Sequence, residues 1–105
     1  MQGSGYTEYY YFNSERLKAM FIKTVYVSGL TPQMAKSIVH VASQYVSDVE
    51  LDYQGRKVNV KSILGVLSLG TVRGEMTLTT KGPDEYEALK AMSAAMEQTE
   101  TRPAS

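Results

Sequence analysis

Residues 58–70 constrain the fold of this 105-residue chain more than any other segment. The alternation of β-branched and polar residues before Ser62 predicts a strand, and the apolar residues after it predict a short helix. A serine between the two can cap the helix, because its hydroxyl accepts a hydrogen bond from a free backbone N–H. Helix N-termini also favour anions. Ser62 is therefore either a structural N-cap worth about 1 kcal/mol or a regulatory phosphorylation site beside an apolar docking patch.

Composition excludes several classes of protein. The chain has no cysteine, one histidine, and eleven basic residues that balance eleven acidic ones. We therefore expect one domain without disulfides, thiolate metal sites or a nucleic-acid interface. The sequence has no glycine-rich phosphate loop and no metal-spaced ligand cluster, so we predict a protein that is not an enzyme and binds no cofactor or metal. It also has no signal-peptide pattern and no apolar run near the roughly 20 residues of a membrane span, which favours a cytoplasmic location without membrane contact.

The first half of the main domain predicts a strand followed by a helix. Residues 21–27 are rich in β-branched and aromatic side chains, which indicates a strand. Thr31 suits an N-cap and Pro32 the first helical position, where a missing N–H costs nothing. Three- and four-residue spacing then predicts a helix to about residue 46. Its predicted apolar face consists of Met34, Ala35, Ile38, Ala42, Tyr45 and Val46.

The second half predicts three more strands and two more helices. Residues 49–53 and 56–60 form a predicted hairpin around a Gln54-Gly55 turn, and residues 75–80 alternate as a fourth strand. The last helix follows residues 82–85, and its predicted apolar face consists of Ala88, Leu89, Met92, Ala95 and Met96. The order β-α-β-β-α-β-α predicts an α+β two-layer open-faced sandwich. In this arrangement, helices cover one face of a four-stranded antiparallel sheet.

The two ends of the chain differ from the domain between them. Residues 1–20 carry Tyr6, Tyr9, Tyr10, Tyr11 and Phe12 within a short stretch. This extension is an ordered extra strand, a sticky tail or partly expression-derived sequence, and it offers a surface for self-association, because tyrosine is favoured at interfaces. We assign residues 21–98 to the domain and predict a frayed tail at residues 99–105.

Three stretches of this sequence resemble the HPr family: residues 28–30 before the first helix, residues 57–70, and residues 82–89. HPr proteins are the small phosphocarriers of the bacterial phosphoenolpyruvate-dependent sugar phosphotransferase system. The resemblance covers residues 21–98 and implies the HPr-like form of the sandwich. Family members carry a phosphoryl group on a histidine within a Leu-His-Ala-Arg-Pro-Ala type motif. Enzyme I donates that group, and sugar-permease components accept it.

The aligned motif departs from the family at the positions that perform the transfer. Thr31 replaces the histidine, Gln33 replaces the arginine and Met34 replaces the proline. Threonine does not titrate near neutral pH, and its phosphate ester is a poor donor. We therefore predict that the carrier chemistry is lost. His40 lies roughly 14 Å along the helix axis from the helix start, so we expect a surface residue there, with contact to a partner protein as the alternative.

Ser62 aligns with the serine that an HPr kinase/phosphorylase modifies in many family members. The resemblance implies that the phosphoserine form acts as corepressor for a LacI-type catabolite control regulator or acts on another metabolic protein. The Crh-like variants of the family also keep the serine and lack the histidine. The predicted partner-binding residues are Ile63, Leu64, Leu67, His40 and Lys61. For Leu67, packing into the core is an equally supported alternative. The hypothesis is a regulatory protein switched at Ser62; the alternative is a constitutive HPr-like scaffold that binds without phosphorylation.

Overall fold

The computed structural model describes residues 8–13 and 18–97, with side chains from Met20 onward. The described residues form five strands and three helices. In chain order they are β1 (Glu8–Asn13), β2 (Lys18–Val27), α1 (Pro32–Ala42), β3 (Asp48–Tyr53), β4 (Arg56–Asn59), α2 (Ile63–Leu67), β5 (Gly74–Lys81) and α3 (Glu85–Glu97). From β2 onward this is the predicted β-α-β-β-α-β-α order, which is confirmed.

The strands form one antiparallel sheet in the order β1-β2-β5-β3-β4. The last four members of that order are the four predicted strands. Strand β1 comes from the N-terminal extension and pairs with β2, from Glu8 opposite Lys23 to Asn13 opposite Lys18. Residues 18–20 of the extension begin β2, ahead of the strand start predicted at residue 21. Residues 1–7 and 14–17 lie outside the described residues, as does the tail predicted at residues 99–105.

The core lies between the sheet and the helix layer. Alternate residues of β2, β3 and β5 are buried towards the helices, as the period of two predicts. Among them, Leu51 and Leu78 lie opposite each other in the β3–β5 register and are fully buried. Ile38 of α1 and Met92 of α3 are fully buried in the same cluster. Each such side chain contributes about 1.5–3 kcal/mol on burial, which fixes both helices on the sheet.

Two of the predicted helix faces differ in detail. Helix α1 ends at Ala42, with Ser43 as its C-cap, and the Ser43 hydroxyl and backbone N–H both donate to the Val39 carbonyl. The prediction that the helix reaches about residue 46, with Tyr45 and Val46 on its apolar face, is therefore wrong. Both residues lie in the following turn, where Tyr45 is half-buried and Val46 is 74% exposed. In α3, Ser93 is buried and Ala95 only partly so.

Candidate functional site

Ser62 begins helix α2 in the geometry of an N-cap. Its backbone is extended, with φ −105° and ψ 113°, and its Oγ accepts a hydrogen bond from the Gly65 N–H at 3.1 Å. Its own N–H donates to the Asn59 carbonyl at 3.0 Å. The residue is half-buried, and its hydroxyl is engaged in this cap. Phosphorylation of Ser62 would therefore involve the oxygen atom that caps the helix.

Helix α2 presents apolar side chains to solvent. It buries Val66 completely and holds Ile63 half-buried against the core, whereas Leu64 is 77% and Leu67 42% exposed. Leu64 and Leu67 are two of the five large hydrophobic side chains that are exposed in the described part of the chain. For Leu67, of the two roles that the sequence left open, the structure shows a surface position rather than core packing. We call Ser62, Leu64 and Leu67 together the α2 surface.

An apolar groove joins the α2 surface to the start of α1. It is lined by Leu30, Pro32, Ala35, Val66, Leu67, Gly70 and Thr71. Thr31 lies at this start, where its Oγ1 accepts a hydrogen bond from the Met34 N–H at 3.1 Å and Pro32 is the first helical residue. Both Thr31 and Gln33 are exposed. The structure thus places the residue aligned with the family's histidine next to the groove, as a capped helix start.

His40 lies far from that helix start. It is exposed near the C-terminal end of α1, and the Gln44 side-chain amide donates to its Nε2 at 3.1 Å. It lies nine positions after Thr31 in the sequence, which corresponds to roughly 14 Å along the helix axis. Its imidazole therefore cannot take the place of a nucleophile at the start of α1.

Lys61 directs its side chain to the turn that follows α1. Its Nζ donates to the Tyr45 carbonyl at 2.7 Å and to the Val46 carbonyl at 3.3 Å. Its backbone N–H donates to Asn59 Oδ1 at 2.8 Å. The half-buried ammonium group therefore links the segment before α2 to the turn after α1 by hydrogen bonds. Contact between Lys61 and a partner protein stays a prediction.

A second set of hydrogen bonds on this turn, which local sequence patterns do not predict, involves Asp84. The Asp84 carboxylate accepts hydrogen bonds from the Val46 N–H at 3.0 Å, the Ser47 N–H at 2.9 Å and the Ser47 hydroxyl at 2.5 Å. The bond from the Ser47 side chain, followed by the backbone bonds, lowers the pKa of Asp84 below its ordinary value of 3.8. Lys61 thus holds the carbonyl groups of the turn and Asp84 holds its amide groups.

The structure is thus a small domain in which an open-faced antiparallel sheet carries two capped helix starts beside an apolar groove. The family model described as "PTS HPr component phosphorylation site" matches residues 22–98. The chain therefore belongs to the HPr family, as the resemblance predicts. In the described part of the chain, no helix combines the length and the hydropathy that a bilayer crossing needs.

Solved structures agree with this assignment. The phosphocarrier protein HPr from Bacillus anthracis str. Ames is 37% identical, with a TM-score of 0.69, over 73% of this chain and 96% of that one. Crh, the catabolite repression protein of Bacillus subtilis, is 38% identical, with a TM-score of 0.57, over 69% of this chain and 84% of that one. The Crh structure is described as a dimer with a swapped domain. An HPr dimer from Thermoanaerobacter tengcongensis is 35% identical, with a TM-score of 0.60, over 67% and 82% of the two chains. HPr and Crh relatives thus form dimers.

Proposed function

We propose that this chain is a regulatory HPr-like protein that has lost phosphocarrier chemistry and is switched by phosphorylation of Ser62. The observation that carries the proposal is the α2 surface, where a half-buried serine hydroxyl opens a helix that exposes Leu64 and Leu67. In this proposal residues 21–98 form the HPr-like domain, residues 1–20 an added extension and residues 99–105 a tail.

The surroundings of Thr31 support the loss of carrier chemistry. A hydroxyl needs an adjacent base to act as a nucleophile, and the sequence neighbours of Thr31, Leu30 and Pro32, supply none. The one histidine of the chain, His40, lies at the other end of α1. Gln33 is neutral, where the family's arginine would pair with a phosphate. The protein accordingly acts without catalysis of its own, in the cytoplasm of a bacterium.

Phosphorylation of Ser62 would change the charge of the α2 surface and leave its leucines in place. A phosphoserine carries about −1.5 to −2 charges at pH 7, and a helix start tolerates such a group because its free N–H groups and dipole attract anions. The modified surface would then combine an anion with exposed Leu64 and Leu67. This combination suits a partner with a basic group beside an apolar patch. The proposed modifying enzyme is an HPr kinase/phosphorylase, and the proposed reader is a LacI-type catabolite control regulator or another metabolic protein.

A second candidate is a constitutive scaffold that binds a partner without phosphorylation. The exposure of Leu64 and Leu67 favours it, because these leucines are at the surface in the unmodified protein. In this candidate Ser62 is only a helix cap. His40 and the face of α1 around it extend the contact area, and the N-terminal extension supports self-association.

Intact-mass measurement after incubation with an HPr kinase and ATP tests the first candidate. We expect wild type and Ser68→Ala to gain one phosphoryl group and Ser62→Ala to gain none. Ser68 is the matched control because it is exposed at the opposite end of the same helix, where it is the C-cap. A wild-type protein that gains no phosphate would refute the switch and leave the scaffold.

A further inference from the structure

Strand β1 forms an open edge of the sheet. In the strand order β1-β2-β5-β3-β4 it has one neighbour, β2, to which all six of its residues are paired. In an antiparallel ladder the backbone N–H and C=O groups of a strand point alternately to its two sides. Half of these groups in β1 therefore face away from β2, and in the described part of the chain no strand pairs with them.

The two edges of the sheet are built differently. The opposite edge, β4, has four residues and carries Arg56 and Lys57, both exposed. Short length and positive charge are features by which proteins prevent pairing between sheet edges. Strand β1 has the sequence EYYYFN, which contains no lysine, arginine or proline and has its single charge at the first position. Aromatic residues favour strands, so β1 is well suited to accept another strand where β4 is not.

We infer that β1 is a self-association edge, which pairs antiparallel with β1 of a second copy of this chain to form a ten-stranded sheet. The inference deepens the self-association that the scaffold candidate includes. The family match begins at residue 22, so β1 lies outside the matched region and is a feature of this chain. A second copy is favoured as the occupant because the strand is compatible with itself. It carries one charge, and two-fold antiparallel pairing keeps Glu8 of one copy away from Glu8 of the other.

The β1–β2 register restricts the geometry of the pairing. Tyr10 lies opposite Phe21 and Tyr11 opposite Met20, so positions 10 and 11 belong to opposite faces of the sheet. A two-fold axis perpendicular to the sheet pairs positions of the same face. The residue at this axis lies opposite its own copy. The largest overlap of the two six-residue strands then places either Tyr10 opposite Tyr10 or Tyr11 opposite Tyr11. Both arrangements place the helix layers of the two copies on the same side.

The dimer leaves the α2 surface open on both copies. Helix α2 packs against α1 and β4, at the end of the sheet opposite to β1. With strands about 4.8 Å apart, nine strand spacings separate the two β4 strands, which is roughly 40 Å. A dimer of this kind would therefore present two copies of the α2 surface to one assembly.

Light scattering and cysteine cross-linking of the full chain test the inference. The chain has no cysteine, so Tyr10→Cys and Tyr11→Cys each introduce a single thiol on β1, and Lys57→Cys is the matched control on the opposite edge. Facing Cα atoms of an antiparallel pair lie about 4.5–5.5 Å apart, within the roughly 4.4–6.8 Å range of disulfides. We expect wild type at twice the chain mass. We also expect at least a tenfold higher yield of disulfide-linked dimer for one β1 variant than for Lys57→Cys.

Two results would overturn the inference. One is a wild-type protein with the mass of one chain across the accessible concentrations. The other is a dimer whose β1 variants cross-link no better than Lys57→Cys, which would assign the contact to another surface or to a different partner strand. The mass change that reports phosphorylation of Ser62 is measured separately. Failure of the β1 contact and failure of the proposed switch are therefore distinguishable.

Discussion

Replacing the Ser62 hydroxyl separates its two roles. Ser62→Ala removes the cap that accepts from the Gly65 N–H, and loss of such a cap costs about 1 kcal/mol. The loss stays near this value because Val66 and Leu69 remain buried and hold α2 on the core. Ser62→Asn supplies a side-chain oxygen that caps as well as serine and carries no hydroxyl to phosphorylate. We expect the free energy of unfolding to fall by about 1 kcal/mol in Ser62→Ala and by less than about 0.5 kcal/mol in Ser62→Asn.

Urea and thermal denaturation followed by circular dichroism measure these differences. In a domain of this size, 1 kcal/mol corresponds to a fall in Tm of about 4–8 °C, which is easily resolved. Equal losses in Ser62→Ala and Ser62→Asn would show that the hydroxyl stabilises the fold by something other than capping. An alanine variant as stable as wild type would refute the cap itself. Ser62→Asn is also the better control for partner binding, since it blocks phosphorylation without weakening the start of α2.

Three further substitutions test the contacts around the site. Lys61→Met removes the hydrogen bonds from the ammonium group to the turn after α1. We expect denaturation to show that the free energy of unfolding falls by about 1–2 kcal/mol. The control Lys57→Met, on the exposed edge strand, should show no such fall. Asp84 has a lowered pKa, so its contribution to stability is complete above its unfolded pKa near 3.8 and is lost as pH falls through the lower folded pKa. The stability difference between wild type and Asp84→Asn should therefore be constant at neutral pH and shrink in acid, and a pH-independent difference would contradict this. Leu64→Ser should change the free energy of unfolding by less than about 0.5 kcal/mol, because Leu64 is 77% exposed. The same substitution should weaken binding to an HPr kinase, measured by calorimetry. Unchanged binding would show that Leu64 is not part of the proposed docking surface.

Local interactions explain why the sequence predicts both helix starts. Thr31 and Ser62 each bond to an N–H three residues later, so the cap and its partner lie within one turn of chain. The strands are predicted for the same reason, since alternation of buried and exposed residues is visible in a few consecutive positions. Residues 48–51 show this pattern, with Asp48 and Glu50 exposed and Val49 and Leu51 buried.

Contacts between distant residues explain what the sequence does not predict. The turn after α1 is held by Asp84, which is 37 residues away from Ser47, and by Lys61, which is 16 residues away from Tyr45. Neither partner is recognisable from local spacing, so the exposure of Val46 could not be predicted. The position of β1 depends on its register with β2. The aromatic content of the extension is consistent with a strand but does not indicate the edge to which it adds.

We propose that carrier chemistry has been lost at Thr31 and that phosphorylation at Ser62 has been kept. The most direct test exposes the full chain to two phosphoryl donors in parallel: enzyme I with phosphoenolpyruvate, and an HPr kinase with ATP. The predicted result is one acid-stable phosphate on Ser62 with the kinase and no phosphate with enzyme I. An acid-labile phosphate obtained from enzyme I, or an unmodified Ser62 after the kinase reaction, would contradict the account.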